Sequence, residues 1–350
     1  MSLTGHRRQG YRCELLTRTD ASLGDLGYVE GGHLEWNANA DLPGGGSILL
    51  ETDTSRGAQV INISSDRVRV WWEVEDEEPW PLGVYVMASP STQYRGDGSS
   101  RQITLIDKLT VVRDDCLLQT LQLPAGANIV QAVVTQIQAA GENRIAATPS
   151  SSTLSNPMTW EPGTSRLRVI NDLLTASGYW SLWTDRTGQF RVEPYITPAA
   201  RPIVWNFEEG ETSIHSPEWE YELPLWDATN TVILVSQADK DTGEVFVATA
   251  VDDNPLSPTS TVSMGRVLNP IVEENVEALS QAALQAQASR KLIDNSNVVG
   301  RLSVAHAPIP VWYNEAVAFK SQGIDTRATI TKMSLDLDPG ALVSAEWRQA

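Results

Sequence analysis

Cysteine, histidine and basic residues are all scarce in this chain, and each shortage removes a class of function. Two cysteines among 350 residues, Cys13 and Cys116, have no CxxC spacing and no neighbouring histidine, so neither a disulfide framework nor a zinc ribbon is available. Two buried thiols are the favoured reading, with a single disulfide the lesser one in a reducing compartment. The four histidines, His6, His33, His215 and His306, show neither HxH nor HExxH spacing, and no GxSxG elbow supplies a nucleophile. Each reads as a surface or hydrogen-bonded core histidine, and the expectation is of no catalytic residue, no cofactor and no metal. Gly44, Gly45 and Gly46 are not followed by the lysine and hydroxyl of a phosphate cradle and read as a loop tip.

Lys and Arg number 26 against 44 Asp and Glu, a formal charge of −18. Proteins that grip nucleic acid neutralise phosphates with basic side chains, so this balance argues against nucleic-acid binding. An acidic wall repels a passing polyanion, which suits a conduit, and acidity also keeps a protein soluble. No apolar run approaches the roughly 20 residues that span a bilayer. The first residues lack the apolar core of a signal peptide, so assembly in a cytoplasm is expected.

What the chain does have is β-strand patterning broken by a few amphipathic helices. Its length suits two to four domains of about 100 residues each. Residues 11–107 read as many short strands. Val68, Val70, Trp72 and Val74 alternate with Arg67, Arg69, Trp71 and Glu73, the pattern of a half-buried strand. Turn clusters at Leu42 to Gly46, Asp76 to Pro79 and Arg95 to Gly98 punctuate it, which favours a barrel or sandwich.

Between Gly163 and Tyr195 a helix is followed by a hairpin. Leu167, Ile170, Leu173 and Leu174 recur at helical spacing, Thr164 is placed to cap the start, and Gly178 supplies the positive φ of a helix exit. Trp180 to Thr184 and Gln189 to Glu193 read as strands joined by the Asp185 to Gly188 turn. The packing core expected of this unit is Leu167, Ile170, Leu174, Trp180 and Phe190. A shift of 37 residues places Gly126 on Gly163, Val130 on Leu167, Val133 on Ile170, Ile137 on Leu174 and Gly141 on Gly178. Two helices of matching frame are implied, too few for a solenoid. Further on, Thr231 to Val235 and Glu244 to Ala248 read as strands. Glu273 to Ile293 reads as an alanine-striped helix with acids first and bases last. Ala328 to Leu337 and Ala341 to Trp347 close the chain as strands.

Two acidic turns, Asp239 to Gly243 and Asp336 to Gly340, resemble the start of a calcium loop but lack its later ligands, and hairpin turns are favoured. Twelve tryptophans allow either core and interface packing, the favoured reading, or a carbohydrate platform. The adjacent Trp71 and Trp72 point to opposite faces of a strand, so at most one is core.

The helix-hairpin pattern of Ser165 to Leu174, the Ala176 to Tyr179 exit and the Asp185 to Tyr195 hairpin resemble a unit of the tail-tip or baseplate hub proteins of long-tailed bacteriophages, the minor tail proteins of actinobacteriophages. Leu26 to Trp36, Trp80 to Met87 and Gln102 to Asp107 resemble strands of that family's first barrel, and Pro308 to Val317 and Ile330 to Gly340 its last. The resemblance implies a mainly β fold with α+β insertions. Two β-barrel, tube-like domains at 1–113 and 199–350 would flank small helix-containing α/β subdomains at 114–198, with a helical insertion at about 250–298 interrupting the second barrel. It implies a structural, non-enzymatic virion protein: a homotrimeric hub at the tail tip, linking a sixfold tube to a threefold tip. Its partners would be its own copies, the distal tail protein, other tail-tip proteins and the tape measure protein, with DNA only in passage and no membrane segment. The alternative is a Trp-rich carbohydrate- or receptor-binding tail component. Arg67, Arg69 and Arg101 could face a channel, where they would hold an acidic partner or pair across subunits, or they could solvate the outside.

Overall fold

The alternating pattern of the N-terminal third builds seven strands. They are β1 (Gln9–Leu16), β2 (Ser22–Asp25), β3 (Val29–Asn37), β4 (Gly44–Glu51), β5 (Arg67–Val74), β6 (Trp80–Arg95) and β7 (Gly98–Asp107). The structure is a computed structural model describing residues 3–5, 7–51, 61–95, 98–154, 156–236, 245–276, 281–296 and 299–350. His6, the Asp239 to Gly243 turn and the tip of the Arg95 to Gly98 turn lie outside the described residues.

The middle of the chain carries α1 (Thr110–Asp114), β8 (Leu121–Leu123), α2 (Ile129–Ala139), β9 (Ile145–Ala147), β10 (Met158–Trp160), α3 (Arg166–Ala176), β11 (Trp183–Thr184) and β12 (Phe190–Val192). Strands β13 (Ile203–Glu208), β14 (His215–Glu222), β15 (Thr231–Ser236) and β16 (Val247–Val251) follow, then α4 (Thr261–Met264), β17 (Ile271–Val276) and α5 (Gln281–Ser296). The last strands are β18 (Arg301–His306), β19 (Ala316–Ser321), β20 (Ile324–Asp336) and β21 (Val343–Gln349).

Two compact units result, one of residues 1–219 with 303–348 and residue 350, the other of residues 220–302 with residue 349. In the first, one sheet of 13 strands runs in the order β14-β18-β21-β20-β3-β4-β7-β6-β5-β1-β2, with β13 attached through β19 to β20. The fold is mainly β. The pairing path is open, so the two barrels expected from the resemblance are not two closed cycles here. An N-terminal arm and a C-terminal arm are instead joined where β3 pairs antiparallel with β20, Trp36 opposite Met333. Val68, Val70, Trp72 and Val74 are buried, and Trp71 is only half-buried. Gly44 to Gly46 begin β4 rather than tip a loop. A Cβ on Gly46, at φ +150°, would stand 2.0 Å from the His33 carbonyl oxygen, so glycine permits the close approach of β3 and β4.

In the second unit β16-β15-β17 form a separate three-stranded sheet, β15 antiparallel to β16 and parallel to β17. Leu284, Ala288 and Leu292 of α5, spaced by four, pack on Val232, Leu234, Ala248 and Ala250. Glu273 and Glu274 belong to β17, not to the start of a helix as their charge order suggests. The β-branched residues Ile271 and Val272 pair beside Val232 and Ile233 and claim the segment for the sheet. Asn230 is fully buried and pins the long loop before β17. Its amide donates to the carbonyls of Thr259 and Arg266, both at 3.0 Å, and its oxygen accepts from Leu268 N–H at 2.7 Å.

Candidate functional site

The 37-residue echo is a structural pseudo-twofold. Helices α2 and α3 have 11 residues each and start 37 residues apart, and their preceding strands β8 and β10 pair with each other, Leu121 opposite Trp160. Gly126 and Gly163 both have positive φ, as do Gly141 and Gly178 after the helices. The halves exchange segments reciprocally. Gly126 N–H donates to Leu154 C=O and Gly163 N–H to Leu117 C=O, both at 2.8 Å. Ile129 N–H reaches Ser152 C=O at 3.1 Å, and Arg166 N–H reaches Asp115 C=O at 2.9 Å. This exchange, together with Ser165 at the N-cap, starts α3; Thr164 does not cap it, whereas Asn128 Oδ1 caps α2 by accepting from Gln131 N–H at 2.9 Å.

One core serves both halves. Leu167, Ile170, Leu174 and Phe190 lie in it with Val130, Val133 and Ile137. Trp180 stands outside that core, half-buried, its ring 4.5 Å from that of Tyr195 and 4.6 Å from the Arg201 guanidinium.

The two loops related by the pseudo-twofold reach the two arms of the sheet. The loop after α2 carries Glu142 and Arg144 into a buried ion cluster on the N-terminal arm. Asp20, held at φ +63° in the turn after β1, accepts from Arg67 Nη1 at 2.8 Å and from Lys108 Nζ at 2.6 Å. Glu142 closes the ring against Arg67 Nη2 and lies 3.2 Å from Lys108 Nζ. Lys108 also donates to Gly188 C=O at 2.8 Å and lies 4.9 Å from the Phe190 ring, with no exposed side-chain surface. Two cations and two anions thus neutralise one another out of water, with Arg144 flanking at 3.4 Å from Asp20. Burial would raise the Asp20 carboxyl, but Lys108 and Arg67 hold it below its usual range. The same two carboxylates, Glu142 first, keep Arg67 protonated against its burial.

The loop after α3 acts on the C-terminal arm. Trp180 lies against Arg201, whose Nη1 donates to Asn314 C=O at 2.7 Å, just before β19. The β11–β12 turn adds Arg186 Nη1 to Pro310 C=O at 2.7 Å, and Tyr313 Oη donates to Thr184 C=O at 3.2 Å. The small module therefore contacts both arms, the N-terminal one through the loop after α2 and Gly188 and the C-terminal one through the β11–β12 hairpin. Arg67 pairs within its own chain, Arg69 lies 3.3 Å from Glu14, and Arg101 donates to Thr92 Oγ1 at 3.3 Å. Neither Asp20, Lys108 nor Glu142 stood out in the sequence, where a lone lysine after Ile106 and Asp107 carries no motif.

Among the described residues no cluster of three or more His, Cys, Asp or Glu is arranged to hold a metal, and no helix is long and apolar enough to cross a membrane. The Asp336 to Gly340 turn spends its carboxylates locally, Asp336 on His33 Nδ1 at 2.7 Å and Asp338 on Gly340 N–H at 2.6 Å. Cys13 is buried, its thiol pushed up to about 12 by burial, and Cys116 is half-buried; the two are not joined in a disulfide. Six tryptophans, Trp36, Trp72, Trp80, Trp160, Trp312 and Trp347, are core residues, while Trp226 is largely exposed at 64%. That distribution favours packing over a sugar platform.

No family model matches the sequence, and no curated protein matches it significantly. Solved structures do match. The tail protein from Neisseria meningitidis MC58 aligns over 97% of this chain and 96% of its own, with 12% identity and a TM-score of 0.64. The 43 kDa tail protein of prophage MuSo2 from Shewanella oneidensis aligns over 96% of this chain and 98% of its own, with 13% identity and a TM-score of 0.64. Prophage tail protein gp18 from Listeria monocytogenes EGD-e aligns over 96% and 94%, with 11% identity and a TM-score of 0.54. This chain has the fold of phage tail proteins along nearly its whole length.

Proposed function

We propose that this chain is a structural virion protein, the homotrimeric hub of a phage tail tip or baseplate, and not an enzyme. The observation that carries this reading is the two-way coverage. Three tail proteins are matched from end to end, at 96% to 97% of this chain and 94% to 98% of theirs. A shared accessory module would align over one part only. The two arms of the sheet, braced by a pseudo-twofold module, suit a subunit that contributes two tube-like halves to a ring, so that three copies present six similar units. On this reading the ring joins a sixfold tail tube to a threefold tip and encloses the channel for the tape measure protein and DNA. Further partners would be the distal tail protein and other tail-tip proteins, after assembly in a host cytoplasm. The charge of −18 fits a wall that DNA passes without adhering.

A reconstruction of isolated tails, with this chain located by an antibody or a fused tag, tests the proposal. Three copies encircling the axis at the distal end are expected. Six copies, one copy or a position away from the tip would overturn it.

A further inference from the structure

Two histidines sit side by side in the core of the C-terminal arm, with a nitrogen apiece that nothing satisfies. His215 on β14 and His306 on β18 are 7% and 0% exposed. Their strands are sheet neighbours, and Ala307 N–H donates to Ile214 C=O at 2.7 Å, which fixes the two histidines next to each other. Both rings meet Phe207, at 6.4 and 5.1 Å between centroids. His215 also meets Phe319 at 5.3 Å, and His306 meets Trp347 at 6.0 Å. The cage therefore takes its walls from β13, β19 and β21 as well as from the two histidine strands.

Hydrogen bonding settles the tautomer. Each Nδ1 lies 2.8 Å from a carbonyl oxygen, that of Ser216 for His215 and that of Ala307 for His306. A carbonyl only accepts, so Nδ1 carries the proton and Nε2 is left as a bare lone pair. Both Nε2 atoms are buried without a partner. Trp347 Nε1, an N–H donor in the same cage, is unpaired as well. A donor suits a lone pair and opposes a second N–H.

We propose that His306, packed beside His215, is the trigger of an acid-sensitive latch: neutral, it closes β13, β14, β18, β19 and β21 around one aromatic cage, and proton uptake at its Nε2 opens that arm. An imidazolium at His306 would place an unsatisfied N–H and a charge in an apolar cage. Among the described residues His215 and Arg7 bear on His306, and both oppose its protonation; Glu209 faces His215 from the end of β13. Burial accordingly pushes His306 down to about 4.

The sign follows from linkage. The open or unfolded form, with an ordinary histidine near 6.5, binds the proton more readily than the closed form. Closure is therefore unaffected above pH 6.5, weakens as pH falls toward 4, and levels off below that. Among the described residues the N-terminal arm carries no buried histidine. Its buried Asp107 is pushed up to about 6, chiefly by burial, so the closed form there holds a proton that ionises as pH rises through 6. Acid in this window favours closure of that arm, and Asp20, held below its usual range, gives way only at lower pH still.

Amide hydrogen exchange on the full-length protein between pH 7 and 4, corrected for intrinsic exchange rates, tests the latch. Protection of β14, β18 and β21 should fall about tenfold per pH unit below 6.5, while β4, β5 and β7 keep theirs. In the H215N/H306N variant each asparagine can still donate to its carbonyl but cannot take up a proton, so protection should persist to pH 4. Equal loss in both arms, or the same loss in the variant, would overturn the proposal. Should the variant not fold, nitrogen-15 NMR of wild-type histidines decides the matter. An Nδ1–H tautomer with His306 titrating below 5 is expected, and a His306 midpoint near 6.5 overturns the latch.

Discussion

Lys108 Nζ lies 2.6 Å from Asp20 Oδ2, and neither side chain keeps more than 1% of its surface in water. A buried ion pair gains little over an apolar replacement, but removing one partner strands the other. Lys108→Met should therefore leave Asp20 and Glu142 with only Arg67 and the flanking Arg144, and cost about 3–5 kcal/mol. Urea unfolding of the full-length protein measures it. A loss within the ~0.5 kcal/mol typical of surface sites would mean that the cluster is hydrated in solution.

The pseudo-twofold makes a paired prediction. Ile137 and Leu174 occupy equivalent places on α2 and α3, and neither has any exposed surface. Ile137→Ala and Leu174→Ala should each cost about 2–5 kcal/mol, with similar values for the two. A large loss for one and a negligible loss for the other would show that the shared core depends on one half only.

Gly188 and Gly126 separate backbone strain from steric fit. Both have positive φ, +81° and +84°. An added Cβ at Gly188 would stand 2.7 Å from Val84 on β6, whereas at Gly126 it would meet nothing within 4 Å. Gly126→Ala should carry only the left-handed backbone penalty, about 1–2 kcal/mol. Gly188→Ala adds overpacking of about 1–3 kcal/mol and should also loosen Lys108, which is bonded to the Gly188 carbonyl. Thermal unfolding of the two variants side by side checks the order, and equal losses would place the β11–β12 turn away from β6.

The local patterns were legible in the sequence, and the long-range pairings were not. Alternation from Val68 to Val74 gave both the strand and its buried face, because a period of two is a local property. The helical spacing of Leu167, Ile170 and Leu174 was equally readable, as was the offset that relates α2 to α3. Trp180 misled because size and apolarity suggest core, while its polar edge and the nearby Arg201 suit a half-buried stack. Glu273 and Glu274 had the charge order of a helix start, yet parallel pairing with β15, fixed by residues some 40 positions earlier, took them into a strand. The ion cluster draws Asp20, Arg67, Lys108 and Glu142 from four separate segments, and the orphan nitrogens of His215 and His306 come from strands some 90 residues apart. No spacing rule reaches that far.

The proposed conduit makes a last prediction about DNA. Of the three arginines that could have lined a channel, Arg67 is buried between Asp20 and Glu142, Arg69 lies against Glu14, and Arg101 is bonded to Thr92. Arg67 and Arg69 are thus paired with carboxylates, Arg101 is a single cation beside a hydroxyl, and the chain as a whole carries −18. Phosphate binding needs basic side chains that release counterions, and its hallmark is affinity that falls steeply with salt. Filter binding of duplex DNA to the isolated protein at low salt should therefore show negligible affinity. Micromolar binding that weakens steeply with added salt would reveal a basic lining and would count against a wall past which DNA must slide.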